Sequence, residues 1–161
     1  LISQNGYALR FNIEEVPVVG AKAAGVKAMN LKEDDVLQSA FICNTSSFYL
    51  LTQRGSLKRV SVDEIPATSR AKRGLQVLRE LKNKPHRVFK AGPVFTDQGD
   101  FDLFTSQEEV AEQDQILQIT STTGQVTEVD LTQLSISERT SNGSFVNDTI
   151  SDQEVFSATI K

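Results

Sequence analysis

The chain has 161 residues, 39% of them apolar and 24% charged, which suits one soluble domain large enough to bury a core. It has no apolar run long enough to cross a bilayer, and a single cysteine and a single histidine exclude a disulfide framework or a Cys/His zinc site. The net charge of −4 is unevenly divided: residues 1–95 hold 15 basic and 8 acidic side chains, residues 96–161 hold 2 and 13.

The chain is written as one pattern three times. Gly6 opens Gly-Tyr-Ala-Leu-Arg-Phe-Asn-Ile-Glu-Glu-Val-Pro, Gly55 opens Gly-Ser-Leu-Lys-Arg-Val-Ser-Val-Asp-Glu-Ile-Pro, and Gly124 opens Gly-Gln-Val-Thr-Glu-Val-Asp-Leu-Thr-Gln-Leu-Ser. A second glycine follows at the same distance each time, at Gly25, Gly74 and Gly143. A fixed repeat of this length points to a propeller, a solenoid or an array.

In copy one, Leu1 is in register with Leu50, so its first strand starts midway and the chain reads as a piece of a longer protein. Asn5-Gly6 predicts a tight hairpin turn, where glycine supplies a positive φ. Phe11 and Ile13 then alternate with Arg10 and Asn12, predicting a half-buried strand that ends at Pro17. Strands are expected again at Val26–Leu31 and Val36–Cys43, with Cys43 as a small core residue.

Copy two repeats the order. Phe48–Leu51 is an apolar strand, Arg54-Gly55 a turn, and Val60 and Val62 the inward face of an alternating strand that ends at Pro66. Leu75–Leu81 and Arg87–Phe95 complete it. His86 follows Pro85 in a basic stretch and is expected at the surface or on a phosphate. Residues 96–112 fall outside the register and read as an acidic connection with a short strand at Phe101–Phe104. Copy three has Ile116–Ile119, the turn Thr123-Gly124, Val129 and Leu131 facing inward, then Ser144–Ile150 and Glu154–Ile160. The sum is about four short antiparallel strands per copy and no amphipathic helix. This is an all-β, propeller-like fragment with blades at 1–45, 46–95 and 113–161.

The residues of copies one and two resemble a known family. Gly-Tyr-Ala-Leu-Arg-Phe…Glu-Glu-Val-Pro…Ala-Ala-Gly-Val-Lys-Ala-Met-Asn-Leu-Lys-Glu-Asp-Asp-Val, and Leu-Leu-Thr-Gln-Arg-Gly-Ser-Leu-Lys-Arg-Val…Arg-Ala-Lys-Arg-Gly-Leu, look like blades of the C-terminal domain of bacterial type IIA topoisomerase A subunits. The resemblance covers nearly the whole chain, with copy three the most divergent. It implies a β-pinwheel, in which neighbouring blades exchange a strand, and a rim that binds and bends double-stranded DNA. The glutamine-, arginine- and glycine-rich box of the gyrase A subunit is not found. Gln53-Arg54-Gly55 is the ordinary repeat turn, so either the box lies in a blade outside this sequence or the chain is of the topoisomerase IV (ParC) type, and the second reading is favoured over gyrase. The resemblance further implies a bacterial cytoplasmic protein with no membrane contact. Its partners are DNA, the other domains of the topoisomerase A chain and the ATPase B chain, and ATP and Mg are used by other domains.

No catalytic or metal-binding constellation is visible. Tyr7 and Tyr49 read as packing residues, and the pairs Asp34-Asp35 and Glu108-Glu109 as solvated turns. Binding without sequence preference needs cations that track phosphates. The candidates are Arg10 and Arg59, equivalent positions on the outward strand face; Arg54 and Lys58 beside them; the cluster Arg70, Lys72 and Arg73; and Lys22 and Lys27 near the matching place in copy one. Copy three reverses this, with Thr127-Glu128 where copy two has Lys58-Arg59, so its rim should turn DNA away. A scaffold whose basic face meets an acidic protein is the competing class of function.

Overall fold

The computed structural model describes residues 1–96, 115–146 and 154–161. In chain order the strands among them are β1 (Ile2–Ser3), β2 (Tyr7–Ala8), β3 (Leu37–Ser39), β4 (Ser47–Thr52), β5 (Ser56–Ser61), β6 (Leu75–Gln76), β7 (Val88–Val94), β8 (Ile116–Ser121), β9 (Val126–Asp130), β10 (Ser144–Phe145) and β11 (Val155–Ile160). They form three antiparallel sheets, ordered β3-β1-β2-β6, β10-β5-β4-β7 and β11-β8-β9. The all-β expectation holds.

The first glycine of each copy closes the hairpin at its centre. Gly6, Gly55 and Gly124 have φ of 82°, 78° and 84°, and their N–H groups donate to Ser3, Thr52 and Ser121 carbonyls. A hydroxyl secures each turn as well. The side chains of Ser3, Thr52 and Ser121 accept from the backbone N–H of Tyr7, Ser56 and Gln125.

The second glycine does something different. Gly74 leads into β6, which pairs not with its own copy but with β2 of copy one. Gly143 leads into β10, which pairs with β5 of copy two. Each complete sheet therefore borrows its outer strand from the following copy. The approach is close: a Cβ on Gly74 would lie 2.1 Å from the Ala8 carbonyl oxygen, and one on Gly143 2.6 Å from that of Leu57.

Alternation on β4 divides the core. Phe48 and Leu50 face one way and pack with Ile2, Ala8, Val77 and Leu78. Tyr49 and Leu51 face the other way and pack with Val94, Leu117, Ile119 and Leu131. β4 is thus the central strand of the molecule, buried on both faces. Burying its four large side chains contributes on the order of 2 kcal/mol each.

Several expected strands are shorter or absent. Val26–Leu31 has no strand: its equivalents pair with the preceding copy, and among the described residues nothing offers that edge to copy one. Val36–Cys43 shrinks to β3 and Leu75–Leu81 to β6. Phe11 and Ile13 do not form an inward strand face. Ile13–Glu15 is a 3-10 turn capped by Asn12, and Ile13 is 64% exposed. Val62–Glu64 makes the same turn in copy two, capped by Ser61, but there Val62 is buried. Cys43 is exposed rather than a core filler. Phe101–Phe104, Glu108-Glu109, nearly all of the acidic connection 96–112 and part of Ser144–Ile150 lie outside the described residues.

Gly74→Ala and Gly25→Ala separate steric contact from backbone strain. Both glycines have left-handed φ, 88° and 81°, but a Cβ at Gly25 meets nothing within 4 Å. Gly25→Ala should cost about 1 kcal/mol from φ alone, and Gly74→Ala upwards of about 3 kcal/mol. Urea unfolding of the two variants measures the difference.

Candidate nucleic-acid interface

The repeat places basic side chains at two kinds of position, and the structure separates them. One kind faces backbone carbonyls at the joints between copies. Lys58 is 2% exposed, and its ammonium donates to the carbonyls of Val77, Arg139 and Ser141 at 2.6, 2.6 and 2.7 Å. This corrects the expectation of a rim lysine. The side of β5 on which Lys58 lies is covered by the segment that carries Gly143, where an added Cβ would lie 3.0 Å from that of Lys58. All three of its protons are committed to carbonyls, so none is free for a phosphate.

Arg59 and Arg10 also reach forward to the next copy. Arg59 donates through Nε to Ser47 Oγ at 2.8 Å and through an NH to the carbonyls of Thr132 and Leu134. Arg10 donates to the Val62 carbonyl, an acceptor on the same turn one copy earlier. Their backbones make matching bridges, with Thr68 N–H on the Arg10 carbonyl and Ser137 N–H on that of Arg59. Arg70 and Arg139 reach backward. The Arg70 N–H meets the Glu15 carboxylate, and its guanidinium meets the carbonyls of Glu15 and Lys27. Arg139 repeats this with the Glu64 carboxylate and the Gln76 carbonyl. A guanidinium bonded to carbonyls keeps its charge, so these arginines still contribute positive potential, but their geometry is that of clasps.

Arg54 lies at a turn, with its guanidinium on the Lys84 carbonyl at 2.7 Å, on His86 Nε2 at 3.1 Å and over the Phe145 ring. His86 is therefore not a surface residue. It is 6% exposed, its Nδ1 faces Thr52 Oγ1 at 3.1 Å, and Nε2 must accept because a guanidinium can only donate. Asp35 departs from its expectation too: it is buried, and its carboxylate accepts from the N–H groups of Asn5 and Val36. No cluster of His, Cys, Asp or Glu suited to a metal exists among the described residues.

The second kind of position is exposed. Lys22, Lys27, Lys72 and Arg73 all lie in solvent-facing loops. Two backbone hydrogen bonds bring three of them together: Ala71 N–H to the Ala28 carbonyl at 2.7 Å, and Asn30 N–H to the Lys72 carbonyl at 2.8 Å. They set Lys27 beside Lys72 and Arg73, although the two groups are far apart in sequence. Arg73 also lies over the Tyr7 ring. Lys32, Arg79, Lys82 and Lys84 are exposed as well; their signal was the basic stretch itself, but no repeat alignment singled them out.

Copy three offers the opposite surface. Ser141 and Asn142 occupy the register of Lys72 and Arg73. Glu128 accepts from Lys161 and Gln118, and these hydrogen bonds hold its carboxyl below the usual range.

Lys58 provides a test of the clasp. Burial pushes its ammonium down to about 8 from the ordinary 10.5. Lys58→Met leaves three carbonyls without a donor and should cost about 3 kcal/mol. In the parent chain, the folded state releases the proton near pH 8 while the unfolded chain keeps it up to 10.5. Stability relative to Lys58→Met should therefore rise across that window. Paired denaturant titrations at about pH 7.5 and about pH 10 check the sign; a narrowing gap would mean that the carbonyls, not burial, control the proton.

Comparison with known proteins places these features. The family model for the DNA gyrase C-terminal domain, a β-propeller, matches residues 1–44 and 47–94. The A subunit of DNA topoisomerase 4 from Streptococcus pneumoniae is 73% identical over 98% of this chain and 19% of its own length. Its counterpart from Streptococcus pyogenes is 61% identical over 98% of this chain and 20% of its own. The chain thus spans about a fifth of the length of these relatives. A crystal structure of the C-terminal domain of DNA topoisomerase IV superposes with a TM-score of 0.77 at 34% identity, covering 99% of this chain and 45% of that one. The gyrase A C-terminal domain shares the fold, with a TM-score of 0.68 at 18% identity. The chain belongs to the DNA gyrase C-terminal domain family of β-propellers, and it resembles the part of that family found in topoisomerase IV A subunits.

Proposed function

We propose that this chain binds and bends duplex DNA without sequence preference, as part of the A subunit of a bacterial topoisomerase IV, and presents the transported segment to a catalytic core located elsewhere. The observation that carries this reading is the exposed group Lys27, Lys72 and Arg73, gathered by backbone bonds between copies one and two. Its cations stand on a joint tied by backbone bonds: Lys27 reaches the Asn30 side-chain oxygen at 2.7 Å, whereas Lys58, Arg59 and Arg70 are clasped to backbone carbonyls. Family membership supplies the context. The chemistry of strand passage, with ATP and Mg, belongs to other parts of the parent enzyme and its B subunit.

A bent duplex is favoured where positive charge follows a curved surface, because phosphate neutralisation is independent of sequence and offsets the bending cost. Lys22 lies on the copy-one side of the group and Arg79, Lys82 and Lys84 on the copy-two side, while copy three contributes Glu128 and Asp130. DNA would therefore track copies one and two and leave at copy three.

Fluorescence anisotropy on a labelled duplex over a salt series tests this. Replacing Lys27, Lys72 and Arg73 with alanine should weaken binding roughly tenfold at low salt, equally for unrelated sequences. It should also reduce the log–log salt slope by about 0.9 for each phosphate no longer neutralised. An unchanged slope moves the DNA-binding surface elsewhere. No duplex binding by the parent chain at low salt would overturn the reading in favour of an acidic protein partner.

A further inference from the structure

The arginines of this chain divide by what their guanidinium groups meet. Arg10, Arg54, Arg59, Arg70, Arg87 and Arg139 all donate to protein oxygens. The side chains of Arg73 and Arg79 donate to none among the described residues. Arg79 has no ring beneath it there either, whereas the guanidinium carbon of Arg73 lies 5.7 Å from the centroid of the Tyr7 ring. A ring face attracts a guanidinium through its π electrons and occupies none of its N–H groups. Arg73 is therefore held in place with its five donors unoccupied.

The fold fixes both members of this pair. Tyr7 lies on β2, where its N–H donates to Ser3 Oγ at 3.1 Å and its backbone pairs with Gln76 of β6. Arg73 comes just ahead of β6, beside Gly74, whose approach to the Ala8 carbonyl leaves no room for a side chain. Ring and guanidinium belong to different copies, so they meet only because β6 crosses onto β2. The second joint lacks both. Ser56 stands in the register of Tyr7 and Asn142 in that of Arg73, and Asn142 Oδ1 accepts from the Arg79 N–H at 2.8 Å. The pair is thus a property of one joint, the joint that carries the exposed cations.

We propose that Arg73 is the anchor of the exposed group, gripping one phosphate of the duplex backbone through two parallel N–H···O bonds, and that Tyr7 is its positioning residue. The inference rests on the DNA-binding reading and deepens it by ranking the cations. A planar guanidinium matches two phosphate oxygens at once, whereas Lys72 and Lys27 are point charges on flexible stems. Lys27 also gives a proton to Asn30. Stacking on Tyr7 restricts the rotamers of Arg73 before any phosphate arrives, so less freedom is lost on binding. Tyr7 acts on the geometry of the guanidinium and leaves its charge unchanged.

Anisotropy titrations of a labelled duplex over a salt series, with single and paired variants, test both roles. Arg73→Ala should weaken binding about fivefold and lower the log–log salt slope by about 0.9. Arg73→Lys keeps the charge and should keep the slope, yet lose about threefold in affinity. Tyr7→Leu fills the same space without a π face; it too should cost about threefold at an unchanged slope, while Tyr7→Phe should bind as the parent does. In an Arg73→Ala background Tyr7→Leu should have no further effect. Parent-like binding by Arg73→Lys would overturn the two-bond grip. A Tyr7→Leu loss of equal size with and without Arg73 would overturn positioning and leave a merely structural tyrosine. In both of these cases the parent still binds duplex DNA, so the DNA-binding reading stands; a parent chain that binds no duplex at low salt overturns that reading and the anchor with it.

Discussion

The fold depends on the close approach of one copy's backbone to the strand of the copy before it. At Gly74 and Gly143 there is no space for a side chain, so strands from neighbouring copies can share a ladder. Everything at the joints follows from that approach. It brings the carbonyls of Val77, Arg139 and Ser141 around a single point, where unbonded they would cost free energy. Lys58 fills that point with three donors. The approach also positions Glu15 against the Arg70 N–H and Glu64 against that of Arg139, so the same acid–backbone bond recurs at both joints. The joint is thus polar at its rim and apolar between the sheets, where the two hydrophobic clusters lie.

This explains why the repeat pattern alone gives the fold correctly but divides the basic residues wrongly. Hairpins, strand alternation and glycine positions are local properties, and their signals lie within a few residues of each other. Val60 and Leu51 are buried as their alternation requires. The fate of Lys58 is not local. Its acceptors lie in copies two and three, and only the exchange of β10 onto β5 brings the latter near it. A lysine next to an arginine on an alternating strand reads as charge in solvent until that crossing strand is known. His86 and Cys43 fail for related reasons. Thr52 and Arg54 bury a histidine that follows a proline in a basic stretch, and β3 ends before Cys43 reaches a packed layer.

The same separation distinguishes the cations that could meet a phosphate from those that could not. A cation whose protons all meet carbonyls contributes to the field but cannot rearrange around a phosphate. A cation on an exposed loop can do both. Arg70 and Lys72 are close in sequence, yet Arg70 holds the Lys27 carbonyl while Lys72 faces solvent. The clasp thereby fixes the backbone from which the exposed cations project. Such a division would suit the DNA-bending surface proposed above, because a rim that yielded to a duplex would lose its own curvature.

Copy three shows what happens to this logic at a joint with no successor among the described residues. Lys58 becomes Thr127, and Glu64 gives way to Gln133 in the register set by Arg70 and Arg139. Arg59 becomes Glu128, which turns to Lys161 beyond β11, the far strand of its own sheet, instead of reaching forward. All three changes remove groups that would hold a following copy, and they do so on β9 and the turn after it. Among the described residues β9 lies at a sheet edge, and Glu128 and Asp130 on it resist chance pairing with other strands. Loss of the clasp and reversal of the charge therefore have one origin: the residues that join copies and the residues that set the sign of the rim share the same strand. A sequence that gives up the first function is free to change the second.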